Sequence, residues 1–153
     1  EKRVLSYAVD PEAIAGVGGP TISLTAGAAL KIGDAVYISA ASSVNKSVTA
    51  ADAGKFAGIV VGGGGSFGRN YGLFGVESVG LALVPSAKVA EVQVAGIAYV
   101  VAGDAVLVGE TVGFDTTTAG RVLTNTTSKQ IIGIALTAAA AAGDKLKILL
   151  QPK

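Results

Sequence analysis

The sequence contains no cysteine, histidine, methionine or tryptophan. The absence of cysteine excludes disulfides, zinc–thiolate centres and thiol nucleophiles, and the absence of histidine removes the commonest general base and metal ligand. Aromatic residues make up 5% of the chain and charged residues 15%, whereas about 25% of residues are charged in a typical globular protein. We therefore expect no catalytic centre, no metal site and no cofactor.

The chain also has no marked excess of positive or negative charge, because 12 basic and 11 acidic residues leave a net charge of +1. Such a balance gives no electrostatic attraction for nucleic acid or for an anionic membrane surface. The longest alanine run, TAAAAAGD at 137–144, is too short to span a bilayer. We expect neither nucleic acid, nor a membrane, nor a small-molecule substrate among the partners.

The chain is rich instead in small apolar residues, since half of its 153 residues are hydrophobic and most of these are Ala, Val, Ile and Leu. This length fits one domain with a sizeable core. Because charges are scarce, much of the surface must be neutral and apolar, and such surfaces are often covered by another protein.

Residues 1–20 differ from the rest of the chain. They end in PEAIAGVGGP, whose two prolines and three glycines favour an extended conformation. We predict an N-terminal arm over 1–20 and a β domain over 21–153. The arm is either a disordered terminus or a segment that docks on a neighbouring subunit. Its apolar residues, which favour docking, are Val4, Leu5, Tyr7, Val9 and Ile14.

From residue 21 onwards, runs rich in Val, Ile, Thr and Tyr alternate with Gly, Asp, Asn and Ser, a pattern typical of strands and turns. The predicted strands are 21–25, 34–40, 55–63, 80–84, 90–101, 104–109, 111–115, 121–125, 130–137 and 144–151. Strands at this spacing predict an all-β fold, either a barrel or a sandwich.

One sequence motif occurs twice in the chain. The first copy, 33–62, begins GDAVYI and the second, 103–137, begins GDAVLV; each continues through a polar stretch to an apolar strand with an internal Gly-Ile pair. Asp34 precedes Gly58 by 24 positions and Asp104 precedes Gly133 by 29. A third Gly-Asp pair, at 143–144, precedes the last strand. Because Gly-Asp turns direct the chain into a new strand, the repeat predicts architecture and no reactive group.

The segment VVGGGGSFGRNYG contains a G-x-G-x-x-G pattern at Gly63, Gly65 and Gly68. A dinucleotide site requires a helix directly afterwards, and the glycines at 72, 75 and 80 argue against one. The segment is therefore either a hairpin tip or long loop, or an interaction loop. The anchors of such an interaction loop are Phe67, Arg69, Tyr71 and Phe74.

Other catalytic patterns are incomplete. Asp115 in FDTTTAG lacks the glycine of an aspartic-protease Asp-Thr-Gly. Ser86 and Lys88 are two positions apart and do not make the Ser-x-x-Lys spacing. A pair of carboxylates brought together by folding is the remaining enzymatic alternative. Three acidic residues that each follow a glycine are explained by turn geometry: Asp34, Asp104 and Asp144.

Residues 90–151 combine an apolar V-A-G-I-A strand, a Gly-Asp-x-V strand, a Thr-rich turn, and I-G-I-A-L followed by A-A-A-G-D and a terminal strand. This order resembles the capsid decoration, or cement, proteins of tailed bacteriophages. Residues 24–38 with 56–63 resemble the first half of these proteins, whereas the insert GGGGSFGRNYGLFG at 62–75 has no counterpart there.

The resemblance implies a small β-barrel or β-tulip domain on the outer surface of the phage head. It also implies a homotrimer that bridges neighbouring subunits of the major capsid protein and stabilises their contacts. One alternative is another all-β virion protein, such as a head fibre, spike or tail subunit. A second is a carbohydrate-binding module, against which the scarcity of Trp and Tyr counts.

Overall fold

Short β-strands follow one another along the described parts of the chain, with two brief 3-10 helices between them. The structure is a computed structural model that describes residues 18–63, 79–81 and 83–151. The strands are β1 (Thr21–Ala26), β2 (Leu30–Lys31), β3 (Ala35–Ala40), β4 (Ser43–Lys46), β5 (Phe56–Gly63), β6 (Leu83–Val84), β7 (Val89–Gln93), β8 (Ile97–Val101), β9 (Thr111–Phe114), β10 (Val122–Thr124), β11 (Gly133–Ala135) and β12 (Lys145–Leu150). The 3-10 helices span Ala50–Lys55 and Ser128–Gln130. The all-β prediction is confirmed.

The strands divide into two five-stranded sheets. The first has the order β1-β4-β3-β5-β7, and β7 pairs with β1, so that the pairing returns to its first strand. A short parallel contact between β1 and β4 closes this ring. The second sheet has the order β10-β9-β11-β12-β8, and a single parallel bridge, Ala102 to Val122, links its two end strands. A small third sheet pairs β2 with β6.

The two five-stranded sheets are two copies of one unit, which we call repeat one (21–93) and repeat two (97–150). Their strand orders correspond one to one. The closing contacts correspond as well, because Gly27 donates to the Val44 carbonyl at 2.8 Å and Gly103 donates to the Val122 carbonyl at 2.8 Å. The predicted internal repeat is confirmed and extends over most of the described chain.

The alignment of the repeats differs from the sequence prediction, because Gly109-Glu110 and not Gly103-Asp104 is the equivalent of Gly33-Asp34. The Lys31 N–H donates to Asp34 Oδ2 at 2.8 Å, and the Leu107 N–H donates to Glu110 Oε2 at 2.8 Å. Both glycines have positive φ, +94° for Gly33 and +87° for Gly109. Glutamate at 110 makes the same turn as aspartate at 34. Because the two residues differ, the sequence alone does not show that these turns are equivalent.

The corrected alignment reduces the spacing difference between the copies from five positions to one. Val36 pairs with Gly58 and Val112 pairs with Gly133. Glu110 precedes Gly133 by 23 positions, compared with 24 from Asp34 to Gly58. The third Gly-Asp pair builds the same turn, because Asp144 Oδ2 accepts the Ala141 N–H at 3.1 Å directly before β12.

Two predicted strands are wrong for related reasons. The run 104–109 makes a single bridge at Val106 and then enters the Gly109-Glu110 turn. The run 90–101 is broken by Gly96, whose φ is +85°. It therefore supplies β7 to repeat one and β8 to repeat two, and the chain passes between the repeats in this short linker.

Two clusters of buried residues form the core. One lies within repeat one and contains Leu30, Ile32, Val60 and other side chains of its strands. The other fills repeat two and extends to repeat one through residues such as Phe56, whose ring packs edge-on against Phe114 with centroids 6.0 Å apart. The repeats are thus joined by continuous apolar packing.

Repeat one carries about twenty additional residues. Val84 bridges Leu30 in repeat one, and Ala139 bridges Val106 at the equivalent place in repeat two. Gly58 precedes Val84 by 26 positions, whereas Gly133 precedes Ala139 by 6. The excess coincides with the glycine-rich insert at 62–75. Among the described residues, no helix is long and apolar enough to cross a membrane.

Candidate docking surface

All nine predicted interaction residues lie outside the described part of the chain. They are Val4, Leu5, Tyr7, Val9 and Ile14 of the arm, and Phe67, Arg69, Tyr71 and Phe74 of the glycine-rich segment. Of the G-x-G-x-x-G glycines, Gly63 ends β5, and Gly65 and Gly68 are also outside the described residues. These interaction sites remain predictions.

Asp115 is buried and stabilises its own turn. Its Oδ1 accepts the Thr117 N–H at 2.9 Å, and its main-chain N–H donates to the Arg121 carbonyl at 2.9 Å. The backbone of Gly103 lies so close to the carboxylate that a Cβ there would collide with Oδ2. These contacts give the carboxylate a structural role in the β9–β10 hairpin.

Asp34 is buried at the boundary between the repeats. Burial raises the pKa of this carboxyl, while the hydrogen bond from the Lys31 N–H and the charges of Lys46 and Lys31 act in the opposite direction. The Ala35 N–H donates to the Gly120 carbonyl of repeat two at 3.0 Å. Asp34 therefore connects the first turn of repeat one with the hairpin of repeat two.

The other buried polar side chains also have partners within the fold. Gln93 Nε2 donates to the carbonyls of Ala95 and Ile97, each at 2.9 Å, and so fixes the linker between the repeats. Ser47 Oγ donates to Asp52 Oδ2 at 2.6 Å. Within residues 18–63, 79–81 and 83–151, no buried side-chain nitrogen or oxygen lacks a partner, and no cluster of acidic residues could hold a metal.

Ser86 and Lys88 lie on an exposed turn. The Lys88 N–H donates to the Pro85 carbonyl at 3.2 Å, and Ala87 between them has φ of 68°. This turn is the repeat-one equivalent of the turn before β12. Asp104 is exposed as well, and its Oδ1 accepts the N–H of the next residue, Ala105, at 2.7 Å.

Three large apolar side chains are exposed at the turn that opens β9. Leu107 is 66% exposed, Val108 65% and Leu136 38%. The Gly109 N–H donates to the Ala135 carbonyl at 2.8 Å, which brings Val108 next to Leu136. We call Leu107, Val108 and Leu136 the terminal patch.

Two of these three positions are covered in repeat one. Ile32 corresponds to Val108 and Val61 to Leu136, and both Ile32 and Val61 are fully buried. The Gly80 N–H donates to the Ile32 carbonyl at 2.6 Å, and Val79 packs beside Gly33. The third position of the patch, Leu107, corresponds to Lys31, which is exposed. Val108 and Leu136 are thus exposed in repeat two at positions whose equivalents are buried in repeat one.

Strand β8 of repeat two supplies part of the cover on repeat one. Tyr99 and Val101 pack against the core of repeat one. The Tyr99 carbonyl lies close to Gly33, and the Val101 side chain lies close to Gly80. The sequence does not reveal the terminal patch, because the run 104–109, which contains Leu107 and Val108, has the pattern of a strand. Alignment of the repeats at Gly109-Glu110 would have placed them beside a turn.

No protein-family model matches the chain, and no curated protein matches it. Among solved structures, the chain is similar to the N base of the head fiber gp8.5 in bacteriophage phi29, with a TM-score of 0.51 and 13% sequence identity. The likeness covers 86% of this chain and 93% of that chain, so most of both repeats takes part in it. It shows that the two chains share a fold.

Proposed function

We propose that the chain is a structural protein of a bacteriophage virion, and specifically a decoration or cement protein on the outer surface of the head. The observation that carries this proposal is the fold likeness to a head-fiber base over 86% of the chain. The order of motifs in residues 90–151, which resembles cement proteins, supports the same assignment from the sequence.

The distribution of side chains supports a binding role. The buried acidic residues Asp34 and Asp115 are engaged in turns and in contacts between neighbouring segments, and apolar side chains remain on the surface in the terminal patch. The proposal accordingly assigns neither catalysis nor a cofactor to the chain. Its partners are the major capsid protein and further copies of itself, arranged as a homotrimer.

The proposed mechanism is clamping. A protein that binds across the joint between capsid subunits only in the assembled shell shifts the equilibrium towards that shell by mass action. Each contact can be weak, because many copies on one shell add their effects through multivalency. The N-terminal arm and the glycine-rich segment provide the predicted anchors.

A second candidate is the base of a head fibre, because the similar solved structure is itself such a base. A fibre base has to attach to the shell, whereas a cement protein has to stabilise it. The two functions therefore differ in what happens to the shell when the protein binds.

The test compares heat survival of phage heads stripped of the protein, with and without added full-length chain. Clamping predicts that bound protein raises the temperature at which heads release their DNA. Equal survival despite saturated binding would contradict clamping and favour the fibre base. Absence of binding would contradict both.

A further inference from the structure

The way in which repeat one is covered suggests what could cover the terminal patch. In repeat one, Ile32, the equivalent of Val108, belongs to a core cluster against which Tyr99 and Val101 of strand β8 pack, and β8 belongs to the next repeat along the chain. β8 presents Ile97, Tyr99 and Val101 on one face, because alternate residues of a strand point the same way. A segment with the same spacing of Leu or Ile, Tyr and Val is therefore the kind of segment that fits the terminal patch.

Strand β1 of another copy is a poor candidate for this role. β1 corresponds to β8 in the repeat, but its outward residues are Thr21, Ser23 and Thr25, all exposed. These polar side chains bury little apolar area, and burial of apolar area is the main driving force for such a contact.

The N-terminal arm contains the required pattern. Residues 5–9 read LSYAV, and β8 reads IAYVV. Leu5, Tyr7 and Val9 occupy the positions that Ile97, Tyr99 and Val101 occupy in β8. The intervening positions hold the small residues Ser6 and Ala8.

We propose that residues 5–9 of a second copy of this chain dock on the terminal patch, where they take the place that β8 takes on repeat one. The inference rests on the self-association part of the proposed function. Within the chain, repeat two covers repeat one, and a second copy continues this order beyond repeat two.

Such a contact is heterologous, because the arm of one copy meets a different surface of the next. Heterologous contacts close into a ring when the rotation between copies allows it. A ring of three copies would satisfy every arm and every patch. Since each contact buries few side chains, we expect ring closure to contribute much of the stability of the trimer.

The first test uses the absence of native cysteine, which makes introduced thiols the only ones. Chains carrying Tyr7→Cys are mixed with chains carrying Val108→Cys under mild oxidation, and mixed disulfides are measured by mass spectrometry. Val48→Cys is the matched control partner, because Val48 is 47% exposed and belongs to repeat one. We expect roughly tenfold faster formation of the mixed disulfide with Val108→Cys than with the control.

Equal rates for the two partners would overturn the proposal. A chain with both Tyr7→Cys and Val108→Cys, oxidised at low concentration, shows whether the arm docks on its own chain or on a second copy. Disulfides between chains support the proposal, whereas a disulfide confined to single chains shows that each arm covers its own patch and overturns it.

The second test is sedimentation of the full chain without phage heads, so that it is independent of shell binding. We expect Val108→Asp to weaken self-association roughly tenfold, and Val48→Asp to leave it unchanged. Circular dichroism and thermal unfolding verify that both variants are folded. Equal association of the two folded variants would contradict the proposal even if shells bind the protein.

Discussion

Asp34 of repeat one and Gly120 of repeat two touch across the boundary between the repeats. The Asp34 carboxylate occupies the space that a Cβ on Gly120 would need, and Gly120 has a φ of +88°. The neighbouring Ala35 N–H donates to the Gly120 carbonyl at 3.0 Å. Glycine is required here both by the backbone conformation and by the close approach of the carboxylate.

Gly120→Ala is expected to lower the free energy of unfolding by about 3 kcal/mol, since backbone strain and overpacking act together. Gly109→Ala is the matched control, because Gly109 has a similar φ of +87° with nothing within 4 Å of the added Cβ. Strain alone should cost the control about 1 kcal/mol. Chemical denaturation measures both, and equal losses would show that the contact with Asp34 has no energetic weight.

The pH dependence of stability should report on Asp34. Burial raises its pKa above the ordinary value of 3.8, so the folded state holds this proton more tightly than the unfolded state does. The contribution of Asp34 to stability is therefore fully present below pH 3.8 and is lost as the pH rises through the folded pKa.

Asp34→Asn isolates this contribution, because an amide oxygen can still accept the Lys31 N–H and no longer titrates. The difference in unfolding free energy between the native chain and Asp34→Asn should fall as the pH rises from 3.8 and then level off. Denaturation series at several pH values measure it. A difference that stays constant, or that rises with pH, would contradict the assignment of burial as the dominant cause.

The alignment of the repeats can be tested at two acidic residues. Glu110 accepts the Leu107 N–H at 2.8 Å and the Thr124 hydroxyl at 2.9 Å, so Glu110→Ala should cost about 1–2 kcal/mol of stability. Asp104→Ala, at the position that the sequence repeat had suggested, should cost less than about 0.5 kcal/mol because the residue is exposed. The opposite order of losses would support the alignment at Gly103-Asp104.

The arm can be removed at residue 17 without touching the described fold. Gly18 donates to the Ile97 carbonyl at 2.8 Å, and the Pro20 carbonyl accepts the Val94 N–H at 3.0 Å. At a protein concentration where the full chain is monomeric, a chain of 18–153 should therefore unfold at the same denaturant concentration as the full chain, whereas 21–153 should be less stable by about 1–2 kcal/mol.

The two truncated chains also separate folding from binding. Both should bind phage heads more weakly than the full chain, because the predicted anchors of residues 1–17 are missing. Binding of 18–153 at native strength would show that the arm takes no part in attachment.

Most of the strands, although not β2 and β4, were predictable from the sequence because β-branched runs and Gly-Asp turns are local signals. The position of Glu110 in the repeat was not, since a glutamate and an aspartate make the same turn while the sequence places a second Gly-Asp pair six residues earlier. The burial of Asp34 could not be predicted from neighbouring residues either. Asp34 and Asp104 occur in the same Gly-Asp-Ala-Val pattern, but Asp34 contacts the hairpin of the other repeat, whereas Asp104 is exposed. The exposure of Leu107 and Val108 could not be predicted for the same reason, because it depends on which distant segments of the chain pack over the turn.

The most direct test of the proposed function is cryo-electron microscopy of empty phage heads mixed with the purified full chain. The proposal predicts density for the two-repeat fold on the outer surface, in groups of three across the joints between major capsid subunits. Heads that stay bare at saturating protein concentration, or density confined to sites within single capsid subunits, would contradict it.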